Sequence, residues 1–85
     1  MKTTLSFEHK GKTYVSNPFD FESMCIINDK HGDADTGVFR MTADAVDYMF
    51  RGTEGAALIE SLAPTDRAKL CSQAWALYTD VIKNV

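Results

Sequence analysis

Apolar and polar residues alternate along two short runs near the start of the chain, then give way to helical spacing. In "TTLSFEH" (3–9) Leu5 and Phe7 stand between polar neighbours, and "KTYVS" (12–16) continues with strand-favouring Thr13, Tyr14 and Val15. The linking "HKGK" puts Gly11 where a tight turn requires positive φ. Residues 2–16 therefore read as a β-hairpin. A lone hairpin is marginal in water, so its apolar face needs a surface to pack on.

From Asn17 onward the period is that of helices. "NPFDFESMCIINDKHG" predicts a helix over about 18–31, with Asn17 as cap and Pro18 at the first position, or with Asp20 as a later cap. Its expected apolar face is Phe21, Met24, Cys25 and Asn28, widened by Ile27. Lys30 and His31 suit its negative end, and Gly32 its stop. "GVFRM" (37–41) reads as a short strand or as a loop that tucks Phe39 and Met41 inward. A second helix is expected over 43–51, capped by Thr42 and stopped by Gly52, with Ala45, Val46, Met49 and Phe50 inward. Residues 55–62 add two turns with Leu58, Ile59 and Leu62 inward, and Pro64 ends them.

The longest helix is expected over 65–83. Thr65 serves as its cap, and neither Gly nor Pro interrupts the chain from there to residue 85. Cys71, Ala74, Trp75, Tyr78, Val81, Ile82 and Val85 form one apolar stripe, and Leu70, Ala74, Leu77 and Val81 an adjacent row. So wide a face is either deeply buried or shared with a partner. The pattern gives one α+β domain over 1–85: an N-terminal β-hairpin packed on a small bundle of three to four helices, the C-terminal helix longest.

Composition narrows the function classes. A formal charge of −3, a pI near 5.2 and nine scattered Lys and Arg argue against nucleic acid as the main partner. No apolar run approaches the roughly 18 residues of a membrane span, and "MKTTLSFEHK" lacks a signal-peptide core. The expected compartment is therefore the cytoplasm, where Cys25 and Cys71 are expected as buried free thiols, with a disulfide between them as the alternative.

The most chemical-looking stretch is "DKHGDADTG" (29–37), with three aspartates and a histidine. A calcium loop needs oxygen ligands at positions 1, 3 and 5, glycine at 6 and glutamate at 12. Counted from Asp33, position 5 is Gly37, position 6 Val38 and position 12 Asp44. Counted from Asp29, position 3 is His31, position 6 Ala34 and position 12 Arg40. Neither register fits, so a polar connector after a helix is expected. Cys25 and His31 fall on different helix faces, too few and too scattered for a zinc set. No nucleophile elbow or phosphate-binding glycine loop occurs. The expectation is a non-enzymatic protein with no catalytic residues, no metal and no cofactor.

What remains is apolar surface. Phe39, Met41, Tyr48, Trp75, Tyr78 and Ile82 are candidate partner contacts, because aromatic and Met side chains are favoured at interface centres.

The order of segments carries a resemblance. "FDFESMCIINDKHGD", "DAVDYMFRGTEGAALIESL" and "RAKLCSQAWALYTDVI" follow a short hairpin, with "FDFE" opening a helix, an "AVDYMF-GTE" middle and a late "LC…W…YT" helix. From about Tyr14 to Val81 the chain resembles the tail assembly chaperones of long-tailed phages and prophages, particularly those of Firmicutes. That resemblance implies a non-enzymatic protein that binds the tape measure protein, keeps it soluble and helps recruit the tail tube protein. It also implies self-association, work in the host cytoplasm and absence from the mature virion. Many such proteins have a longer form made by frameshifting, which here would join near Asn84 and Val85; the chain is short for the group. The alternative is a small adaptor or regulatory domain that binds another protein or nucleic acid, with a helix-turn-helix after Thr42.

Overall fold

The computed structural model describes residues 3–31 and 37–83. Two antiparallel strands, β1 (Ser6–His9) and β2 (Lys12–Val15), pair Phe7 with Tyr14 and His9 with Lys12. Lys10 and Gly11 both take positive φ, 51° and 78°, as a two-residue turn matched to strand twist demands. Leu5 and Phe7 point inward as their alternation predicts. Ser16 completes the hairpin: its N–H donates to the Leu5 carbonyl and its buried hydroxyl accepts from the Leu5 N–H at 2.8 Å.

Helix α1 spans Phe21–His31 and starts later than residue 18. Asp20 is the cap: its Oδ1 accepts from the Ser23 N–H at 2.9 Å and from the Ser23 hydroxyl at 2.8 Å. Asn17 is used elsewhere. Its side-chain amide donates to the Arg51 carbonyl at 2.8 Å and its N–H to the Met49 carbonyl, so it finishes the second helix. The inward face of α1 also differs from the expected one. Ser23 and Ile27 are fully buried, Met24 and Cys25 half-buried, and Phe21 is 73% exposed. With the cap at Asp20, the row Ser23–Ile27 meets the core, and Ser23 is tolerated there because the cap satisfies its hydroxyl.

Helix α2 spans Val38–Met49, five residues longer at its start than the expected helix. "GVFRM" is neither strand nor loop: Gly37 is extended, its carbonyl accepts from the Met41 N–H, and Val38 begins the helix. Thr42 is interior rather than capping. Its buried hydroxyl donates to the Val38 carbonyl one turn back at 2.7 Å. Burial of Met41, Ala45, Val46 and Met49 along one face outweighs the low helix propensity of Val38 and Phe39. At the other end the helix stops at Met49, two residues before the expected 51, with Phe50 as its cap, and Gly52, φ 71°, serves the turn that follows.

Glu54–Ser61 winds as a 3₁₀ helix. Three residues per turn align Ile59 with Leu62, and both are buried. Helix α3 spans Pro64–Lys83 and is the longest. Pro64 itself is its first residue, and the Ala63 carbonyl accepts from Asp66 and Arg67; Thr65 lies inside the first turn, exposed, and is not the cap.

The fold is thus α+β, a hairpin on four helical segments. Its core has two joined parts. Leu5, Phe7, Val46, Met49, Phe50, Ile59, Leu62 and Leu70 form the larger, where the hairpin, the 3₁₀ helix and the inner faces of α2 and α3 meet. Ile27, Met41, Ala45 and Tyr78 form the smaller, where α1 lies against α2 and α3. Among the described residues no helix is long and apolar enough to cross a membrane.

Candidate functional site: a groove between two helices

Helices α2 and α3 run in opposite directions, which brings Asp47 near Arg67 and Ala45 near Tyr78. On the flank away from α1 they leave an open groove of about 520 Å³. Its α2 wall is Phe39, Arg40 and Ala43; its α3 wall is Pro64, Arg67, Ala68 and Cys71, spaced as one helix face. Glu60 and Leu62, from the end of the 3₁₀ segment, close the third side. Small residues line its middle, and Phe39, 54% exposed, stands at one end.

Charge is unevenly placed along the groove. Arg40 is exposed at the Phe39 end and makes no ion pair or hydrogen bond among the described residues. At the opposite end Asp47 and Glu60 share the field of Arg67. Partial burial pushes the Asp47 carboxyl above the usual carboxylate range; Arg67 works against that shift, and Asp44 and Glu60 reinforce it.

The six expected contact residues do not form one surface. Phe39 lines the groove. Met41 and Tyr78 are core residues, 6% and 3% exposed, and so offer little surface to a partner. The Tyr78 hydroxyl donates to the Asn28 side chain at 2.9 Å. Trp75 is half-buried and stacks on His31 with ring centres 5.8 Å apart, tying the last turn of α1 to α3. Tyr48 is half-buried beneath the Arg51 guanidinium, 3.8 Å from the ring centre, with its hydroxyl toward Asp20. Ile82 is 48% exposed near the end of α3, away from the groove.

Sequence reasoning missed most of the groove lining, because Arg40, Ala43, Arg67 and Ala68 look like ordinary polar-face or small positions. An apolar row on the α3 start, Pro64, Ala68 and Cys71, is the signal that could have found it. The expected connector at 32–36, with Gly32, Asp33 and Asp35, lies outside the described residues, as do Asn84 and Val85. Among the described residues no three His, Cys, Asp or Glu side chains gather as a metal site, and Cys25 and Cys71 are free, Cys71 buried and Cys25 half-buried. Compared with known protein families, curated proteins and solved structures, the chain matches none of them.

Proposed function

We propose that this protein is a tail assembly chaperone of a long-tailed phage or prophage, of the kind found in Firmicutes. It binds the tape measure protein, keeps it soluble and helps recruit the tail tube protein. The observation that carries the reading is the open groove between α2 and α3, an apolar trough with an exposed phenylalanine at its end. Client proteins that are long, helical and prone to aggregate need such a surface. The segments that carry the resemblance also supply Glu60, Leu62, Arg67, Ala68 and Cys71 of the lining. The adaptor reading has less support. Between α2 and α3 the chain makes a whole 3₁₀ helix, whereas a DNA-reading helix pair uses a turn of roughly three or four residues.

Co-expression with the tape measure protein encoded next to it tests the proposal. The chaperone should raise the soluble fraction of that protein and co-purify with it. Ala68→Trp, which fills the groove from a half-buried position outside the core, should abolish both effects. An unchanged soluble fraction with no complex removes the reading.

A further inference from the structure

The groove carries more than a general affinity for apolar surface. Its walls are two helices with small residues between them, which is the relief that accepts the ridge of a third helix. It presents no strand edge, so an extended peptide would leave its backbone groups unpaired there. Its volume of about 520 Å³ holds a row of side chains, not a helix, so an occupant lies along it and presses one face inward.

Charge then selects among helices. At one end stands Arg40, whose guanidinium has no ion-pair or hydrogen-bond partner among the described residues. At the other end Glu60 and Arg67 line the groove, and Asp47, one turn beyond the lining residue Ala43 on α2, lies within the field of both. Among the described residues, Arg40 thus makes one end net positive, while Asp47 and Glu60 outweigh Arg67 at the other.

We infer that the groove binds an amphipathic helix of a partner protein whose apolar row is flanked by carboxylates at the end over Arg40 and by Lys or Arg at the end over Glu60 and Asp47. This rests on the groove being the client site of the proposed chaperone and adds to it a direction: the occupant lies one way round. An uncharged or uniformly charged helix meets one favourable end at most.

Three synthetic helical peptides test this on the full chain, read by fluorescence anisotropy. They share one Leu row at i, i+3, i+4 and i+7. The first carries Glu flanks at one end and Lys flanks at the other, the second Glu throughout, the third Lys throughout. The first should bind about fivefold tighter than either other, the scale expected of one or two exposed charge pairs. Arg40→Glu makes both ends acidic, so the all-Lys peptide should become the tightest. That variant is expected to fold, because residue 40 is exposed in the first turn of α2, where a carboxylate suits the helix dipole. Equal binding of all three peptides, or a preference unchanged by Arg40→Glu, overturns the inference. So does self-association of the chain that blocks peptide binding and is lost in Arg40→Glu, which would make a second copy the occupant. No peptide contains tape measure sequence. The charge selection can therefore fail while the co-expression test succeeds, and the reverse.

Discussion

Asp20 accepts from the backbone and hydroxyl of Ser23, receives the Tyr48 hydroxyl at 3.3 Å and has Arg51 3.9 Å away. The Ser23 backbone bond is the strongest of the influences that hold its carboxyl below the usual range, followed by the Ser23 hydroxyl, then Tyr48 and Arg51. A carboxyl depressed in the folded state stabilises it above the unfolded carboxylate range, and that contribution is lost as pH falls through the depressed value. Asp20→Ala should therefore lower the melting temperature by roughly 5 °C at neutral pH, the scale of a lost helix cap in a domain this small. The gap between variant and wild type should close as melts are repeated into acid. Which of Asn17 and Asp20 caps α1 was not legible in the sequence, since both are good caps. The choice turns on the Arg51 carbonyl, 34 positions away, which takes the Asn17 amide.

Elements with a long unbroken pattern were legible, and short or mixed ones were not. α3 lies where the stripe from Leu70 to Tyr78 predicts, and Gly11 and Gly52 mark the turns where positive φ is required. The start of α2 was hidden because Val38 and Phe39 favour strands and Gly37 offers no capping side chain. Only tertiary burial of Met41 decides for helix. The face of α1 was misread because Phe21 is apolar yet exposed, while Ser23 is polar yet buried. Gly55 is a further position whose role only packing reveals. A Cβ there would sit 3.2 Å from Phe50 Cδ1, 3.2 Å from Tyr14 Cβ and 3.3 Å from Phe7 Cε1, where the 3₁₀ helix presses on the hairpin. Gly55→Ala is expected to cost about 1–2 kcal/mol through overpacking. Urea titration should show a lower midpoint with an unchanged slope.

At the scale of the whole molecule, stability is small and concentrated. A chain of 85 residues has on the order of 4–13 kcal/mol in total. Phe50 is fully buried at the junction of hairpin, 3₁₀ helix and α2, tilted against Phe7 with ring centres 5.3 Å apart. Phe50→Ala should cost about 3–5 kcal/mol, enough to remove much of that margin. Near-UV circular dichroism and the sharp thermal transition should both be lost or strongly weakened. The α+β arrangement was readable from segment order, because each segment carried its own period. The groove was not, because it exists only once residues 39–43, 60–62 and 64–71 are brought together.

One contact joins the ends of the chain in an uncommon way. The Gln73 side chain accepts from the Ser6 N–H and donates to the Ser6 carbonyl, both at 3.1 Å, as a neighbouring strand would. The outward edge of β1 is thus completed by a side chain 67 positions later. That gives the fold an order in time. As the chain emerges from the ribosome, the hairpin is made first yet lacks this edge partner until α3 arrives. Closing so long a loop carries an entropic cost, so the nucleus has to form from the nearer contacts of α2, the 3₁₀ helix and α3. Strand β1, made before α3, is thus among the last elements to settle.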